Sequence, residues 1–145
     1  MTDTPSVLFV CVKNAGKSQM AAGLMRAVAG DRVEIHSAGT APGVAVNPLS
    51  AASLLEVGVD ISGEHPTPID PQLLGRVDIV VTLGREATVD TPPGGIEVEN
   101  WDTDEPSHRG IDGMDRMRLI RDDIARRVDD LVHRLTDHSG PSTPT

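Results

Sequence analysis

The stretch Val7-Leu8-Phe9-Val10-Cys11-Val12-Lys13-Asn14-Ala15-Gly16-Lys17-Ser18 decides the fold. Val7 to Val12 is an unbroken apolar run with no polar alternation, the pattern of a parallel strand covered on both faces. The residues after it favour a turn: Asn14 tolerates a left-handed conformation, and Gly16 lets the backbone approach a ligand closely. Ser18 can cap a helix from Gln19 to about Ala29, with Met20, Leu24 and Val28 along one face and Gly30-Asp31 at its end. The unit is strand, tight loop, helix.

The same alternation continues along the chain. Val33 to Ser37 reads as a second strand, closed by Ala38-Gly39. Pro48 to Val57 reads as a helix with Pro in its first turn and Gly58 after its end. Pro66, Pro68 and Pro71 mark a loop into a short helical turn at Gln72-Leu73-Leu74. Val77 to Leu83 is a third strand and Ile96 to Trp101 a fourth. A long loop, Asp102 to Gly113, leads to a last helix over Met114 to Leu135, with Met117, Ile120, Ile124, Val128, Leu131 and Leu135 at helical spacing. This order predicts an α/β fold with a four-stranded parallel sheet between helical layers. Ligands of such sheets bind at the carboxyl ends of strands, where the quoted loop lies. Residues 1–137 are expected to form a single domain and 138–145 a disordered tail.

Composition narrows the function. The 145 residues include one Phe, one Trp and no Tyr, and carry a net charge of -9. Base stacking and a basic stripe are both missing, so nucleic acid is not an expected partner. The apolar runs are far shorter than a membrane span. The N-terminus lacks the pattern of a signal peptide, and the single cysteine needs no oxidising compartment, so a cytoplasmic location is expected. The acidic surface and short chain fit a monomer or a homodimer equally. Of the thirteen basic residues eleven are Arg and two are Lys, and both lysines, Lys13 and Lys17, lie in the quoted loop.

A loop between a strand and a helix N-terminus presents backbone N–H groups and a partial positive charge to one point. Such a cradle holds a tetrahedral oxyanion, and the same field favours a thiolate at Cys11. A lone cysteine is often a packed core thiol, but a packed thiol does not need Asn, Gly, Ser and two Lys after it. Read from its other end, Gly16-Lys17-Ser18 matches the end of a nucleotide-binding P-loop. That reading lacks the first Gly, whose place Cys11 takes, and the third strand ends Thr82-Leu83-Gly84 without an Asp for Mg²⁺. The histidines His36, His65, His108, His133 and His138 show no metal-ligand spacing, and no metal is assigned. His36 reads as a structural strand residue, Asn14 and Ser37 as loop-shaping partners, and the charges of the last helix as a solvated face.

These residues resemble the low-molecular-weight protein tyrosine phosphatase superfamily, whose signature is a Cys, five residues, an Arg and a Ser or Thr after the first strand. VLFVCVKNAGKSQMAAGLM, residues 7–25, is similar to the arsenate reductases on that fold. His36-Ser37-Ala38-Gly39-Thr40 resembles the family's segment after the second strand, Trp101 to Pro106 its late Asp-Pro loop, and Arg118 to Ile124 the start of its last helix. The resemblance implies Cys11 as nucleophile toward an oxyanion and a cradle formed by Val12, Lys13, Asn14, Ala15, Gly16, Lys17 and Ser18, with Ser18 supporting the thiolate. It implies a general acid before Pro106, by position Glu105, with Asp104 as the alternative.

The chain departs from that pattern twice. Lys17 stands in place of the signature Arg, giving a point charge where the family has a planar bidentate fork. Phosphatase activity is therefore expected to be weak. No further cysteine is present to resolve a disulfide relay, so an external thiol must attack. Single-cysteine members of the family resemble arsenate–mycothiol transferases. The resemblance thus implies arsenate as substrate, mycothiol as thiol cosubstrate rather than a bound cofactor, mycoredoxin downstream, and a role in arsenic detoxification. A phosphotyrosine phosphatase and a non-catalytic oxyanion-binding module remain the alternatives.

Overall fold

The computed structural model describes residues 4–89, 96–103 and 105–137. Strand β1 (Ser6–Cys11) is buried at every residue, as its unbroken apolar composition requires. Its side chains alternate between two faces. Val7, Phe9 and Cys11 face the larger core with α1 (Lys17–Ala29) and α4 (Gly113–Asp137). Leu8 and Val10 join Ala38, Leu74, Val77 and Val80 on the other face, which the single-turn helix α3 (Pro71–Leu74) helps to cover. The helix α2 (Pro48–Leu55) contributes Leu54 to the larger core.

β2 (Glu34–Gly39) and β3 (Ile79–Leu83) flank β1, and β4 (Glu97–Trp101) lies beyond β3; every pairing is parallel. The order β2-β1-β3-β4 makes the chain leave β1 toward one edge and later build toward the other. The crevice at the carboxyl ends of β1 and β3 is therefore a switch point, the place where such sheets bind ligands. Cys11 is the last residue of β1 and stands opposite Gly39. Phe9 and Trp101, with ring centroids 5.6 Å apart, close the core under this end of the sheet.

Several expectations shift by a few residues, each for a local reason. α1 begins at Lys17 with Gly16 as its N-cap, and no side chain caps it. Ser18 lies inside the first turn because its hydroxyl is committed to Cys11, and so it is not the cap. Val28 is 45% exposed and does not continue the face of Met20 and Leu24. A four-residue step turns about 40° too far at 3.6 residues per turn, so the third member leaves the stripe. Met25 and Ala29 bury that side of the helix instead. α2 stops at Leu55; its start is capped by Asn47, whose side chain accepts from Leu49 N–H at 2.8 Å. The loop after β4 contains a 3₁₀ turn, Pro106–Arg109. Asp104 and the tail 138–145 lie outside the described residues. Among the described residues no helix is long and apolar enough to cross a membrane.

Candidate active site

The loop from Cys11 to Lys17 is curled by bonds made on its outer side. The carbonyls of Cys11, Val12, Lys13 and Ala15 accept N–H groups from Thr40, Ala41, Gly43 and Asn47 at 2.7–3.1 Å. The Asn14 carbonyl accepts from Gln19 Nε2 at 3.1 Å. Five consecutive carbonyls are thus held by neighbouring segments. In a planar trans peptide the following N–H points the opposite way, so the N–H groups of residues 12–16 turn toward the concave side. The Asn14 N–H shows this directly, donating to Cys11 Sγ at 3.1 Å. With the N-terminus of α1 at its rim, the loop forms an anion cradle centred on the sulfur.

Cys11 is 8% exposed, reachable from the cradle but covered elsewhere. Ser18 Oγ lies 2.9 Å from Sγ and accepts from Asn14 Nδ2 at 2.7 Å. With its oxygen taken by Asn14, the serine proton is free to point at the sulfur. A hydroxyl and a backbone N–H therefore converge on the Cys11 sulfur. Asn14 does this from a left-handed backbone, φ 52°. Both ends of its carboxamide are engaged: Oδ1 accepts from Thr67 N–H at 2.9 Å and from Gln19 Nε2 at 3.2 Å. Gln19 Nε2 also donates to the His65 carbonyl. Asn14 and Gln19 thus tie the cradle to the segment 65–67. Asn14 is the loop-shaping residue the sequence suggests. His36 is bound to Glu34 at 2.6 Å, away from the cradle.

Gly39 explains how β2 comes so close. A Cβ there would lie 2.7 Å from Val12 O and 3.0 Å from both Asn14 N and Asn14 Cβ. Those contacts are mostly backbone and cannot swing away, so only glycine allows the loop to rest on the end of β2.

Lys17 and Glu105 meet at the mouth of the cradle, Nζ 3.7 Å from Oε1. Arg116, in the first turns of α4, grips the same carboxylate, Nε to Oε2 at 2.8 Å and Nη2 to Oε1 at 3.2 Å. Ser107 Oγ donates to Oε2 at 2.8 Å. The Arg116 hydrogen bond, followed by that of Ser107 and by the charges of Arg116 and Lys17, outweighs burial and holds Glu105 down to about 2. In this conformation the Glu105 carboxylate is held between Arg116 and Lys17.

Arg116 and Ser107 escape the sequence reading. The available signal was local: Ser107 follows Glu105 by two residues, and Arg116 opens the helix that the Glu105 loop must join. A cleft of ≈ 620 Å³ opens beside Lys17 and Glu105, and its wall includes Arg85, Asp102, His108 and Arg109. The Asp102 carboxyl is lowered first by its hydrogen bond to Arg85, with Lys17 adding its charge. Among the described residues no group of three His, Cys, Asp or Glu could hold a metal.

The family model for low molecular weight phosphotyrosine protein phosphatase matches residues 6–139. Arsenate reductase 1 of Staphylococcus epidermidis is 34% identical over 132 residues, covering 90% of this chain and 97% of that protein. Among solved structures, a thioredoxin-dependent arsenate reductase of Corynebacterium glutamicum matches with a TM-score of 0.79 at 32% identity; the match covers 94% of this chain, which spans 64% of the length of that one. An arsenate reductase in its phosphate-binding state matches with a TM-score of 0.77 at 29% identity, covering 91% of this chain and 99% of that one.

Proposed function

The chain belongs to the low molecular weight phosphotyrosine protein phosphatase family, and we propose that within it the protein is an arsenate reductase of the thiol-transferase type, with Cys11 as its activating thiolate. One observation carries the reading: the single cysteine of the sequence sits in an oxyanion cradle whose cation is Lys17, not Arg. A phosphoryl group is transferred largely by positioning and charge, for which a bidentate guanidinium is the stronger clamp. Arsenate exchanges its oxygens and thiol ligands more readily and needs less of a clamp. The names of the similar proteins support the same substrate.

The electrons come from outside. A relay through the chain would end in a disulfide, which one cysteine cannot form within the 145 residues. A low-molecular-weight thiol therefore supplies the first sulfur, and mycothiol is the thiol we propose. Dihydrogen arsenate and the thiol RSH give RS–AsO₃H⁻ and water, with arsenic still pentavalent. A second thiol, delivered through mycoredoxin, attacks the adduct sulfur; a disulfide and arsenite leave, and the two thiols have given arsenic two electrons. The cradle N–H groups and Lys17 hold the arsenate oxygens, and Ser18 and Asn14 hold Cys11 as the thiolate that activates arsenic for exchange. The water that leaves takes its protons from arsenate and from the thiol, and Glu105 keeps Lys17 at the mouth.

The test is arsenate-dependent NADPH loss in the presence of mycothiol, mycoredoxin and its reductase. Turnover is expected with the wild type and is abolished in Cys11→Ser. No turnover by the wild type, or full turnover by Cys11→Ser, overturns the proposal.

A further inference from the structure

The anion-binding shape of the cradle depends on the direction of its peptide planes, and one plane is held differently from the rest. The carbonyls of Cys11, Val12, Lys13 and Ala15 accept backbone N–H groups, which almost any residue type supplies. Among the described residues the Asn14 carbonyl is held by a side chain instead, Gln19 Nε2 at 3.1 Å. That carbonyl shares its plane with the Ala15 N–H, one of the groups that turn toward the concave side. Gln19 therefore governs where one cradle donor points. Its own bonding is lopsided. Nε2 carries two hydrogens and meets three acceptors: the Asn14 carbonyl, Asn14 Oδ1 at 3.2 Å and the His65 carbonyl at 3.1 Å. Oε1 is buried and has no hydrogen-bond partner, which is unusual for a buried polar group. Turning the amide over would set Oε1 against three oxygens, so the surroundings fix the donor inward. Gln19 is 1% exposed, and an apolar side chain of the same length would leave no orphaned oxygen there. A packing rule broken beside a site marks a residue kept for the site.

We propose that Gln19 is a positioning residue for the oxyanion, holding the Asn14–Ala15 peptide with its N–H directed into the cradle. Without the Nε2 donor the Asn14 carbonyl loses its partner, and a buried carbonyl without a partner is costly. It turns toward the open side of the loop, where water reaches it, and the Ala15 N–H turns away with it. The anion then loses a donor and meets a carbonyl oxygen in its place. Gln19 also braces Asn14 Oδ1 beside the Thr67 N–H, and Asn14 Nδ2 donates to Ser18 Oγ, so the same amide reaches the contacts of Cys11 at one remove. The inference rests on the part of the functional reading that makes this loop an oxyanion site. It does not rest on arsenate turnover.

Gln19→Met in the full chain keeps the side-chain length and the helix propensity. It removes the donor together with the orphaned oxygen, so the fold is expected to survive. Inorganic phosphate binding, followed by calorimetry, is expected to weaken about tenfold, the size of effect given by one hydrogen bond to a charged group. The second readout is the rate of Cys11 alkylation by anionic iodoacetate divided by the rate with neutral iodoacetamide. This ratio is expected to fall severalfold, because the cradle attracts only the anionic reagent. A change in the reactivity of the sulfur, or in the fraction folded, cancels in the ratio. A merely structural role for Gln19 lowers the urea midpoint and moves neither readout. Unchanged phosphate affinity or an unchanged alkylation ratio in Gln19→Met overturns the proposal. The wild type gives a check that needs no variant: its Ala15 amide proton is expected to shift downfield in NMR spectra as phosphate is added, and an amide proton that does not move also overturns the proposal. If all three results appear as expected but no thiol supports arsenate turnover, the role of Gln19 stands and the arsenate reductase reading is what fails.

Discussion

Replacing Arg116 with leucine removes the strongest partner of the Glu105 carboxylate while leaving Ser107 and Lys17 in place. The depression of Glu105 from 4.5 to about 2 corresponds to about 3 kcal/mol at 1.36 kcal/mol per unit. The Glu105 side chain is 26% exposed, so solvent screens part of this, and Ser107 and Lys17 carry another part. The loss expected for Arg116→Leu at pH 7 is therefore about 1–2 kcal/mol. The sign of the pH dependence follows from the direction of the shift. A carboxyl whose folded value lies below its unfolded one stabilises the protein above pH 4.5, and that contribution fades as pH falls toward 2. Urea unfolding at pH 7, 4.5 and 3 should show a wild-type advantage that is full at pH 7 and shrinks at each step. Activity should change too. Without Arg116 the carboxylate is compensated by Lys17 alone, which draws the ammonium from the cradle. The KM for arsenate should rise about fivefold, equivalent to ~1 kcal/mol. A stability difference that is the same at all three pH values would refute the role given to Arg116, as would an unchanged arsenate KM.

The remaining predictions probe the cradle. Gly39→Ala places a methyl 2.7 Å from Val12 O; overpacking against backbone costs about 1–3 kcal/mol, and a cradle displaced by up to 1 Å loses on the order of 100-fold in kcat/KM, so thermal melts and steady-state arsenate kinetics should both fall. Lys17→Arg restores the planar fork and should raise p-nitrophenyl phosphate hydrolysis above the wild type by at least tenfold, about 1.4 kcal/mol of transition-state binding; robust wild-type hydrolysis would favour a phosphatase instead. Asn14→Ala removes the Ser18 and Thr67 partners and forces a less tolerant residue into φ 52°, for a loss of about 2–4 kcal/mol readable as a lower urea midpoint and a slower Cys11 alkylation rate at neutral pH.

The order of elements was legible because strand and helix periodicities are strong where burial is one-sided or complete. β1, β3 and α4 announce themselves as a continuous apolar run, a second one and a long amphipathic stripe. The element ends were less legible, since they are set by tertiary demands. Ser18 has the composition of a cap, yet the sulfur of Cys11 outcompetes the helix for its hydroxyl. The cradle itself could be read from Cys11, Asn14, Gly16, Lys17 and Ser18 because all its chemistry is local in sequence. The role of Gly39 could not, since nothing in Ser-Ala-Gly-Thr reveals that the Asn14 backbone lies 3.0 Å from a missing Cβ. Arg116 was hidden for a similar reason. Eleven arginines decorate the chain, most on solvated faces, and only the fold distinguishes the one that reaches Glu105 from those that bind Glu56 or Asp123.

The exchange of Arg for Lys at position 17 becomes coherent once Glu105 is included. A guanidinium in the cradle would engage the oxyanion with one edge and could engage a carboxylate with another, serving both at once. An ammonium on a flexible stem cannot be directed by its own geometry, so its direction must come from outside. Glu105 supplies it at 3.7 Å, and the two-point grip of Arg116 keeps Glu105 fixed enough to do so. The loop's missing arginine is in effect divided between two residues: Lys17 carries the mobile charge to the oxyanion, and Arg116 carries the rigid fork. The five inward N–H groups still set the shape of the oxyanion, so the cradle loses grip but not geometry. That balance suits a substrate whose oxygens must exchange for a thiol within the site, because a clamp that holds all of them equally well would hold back the one that has to leave.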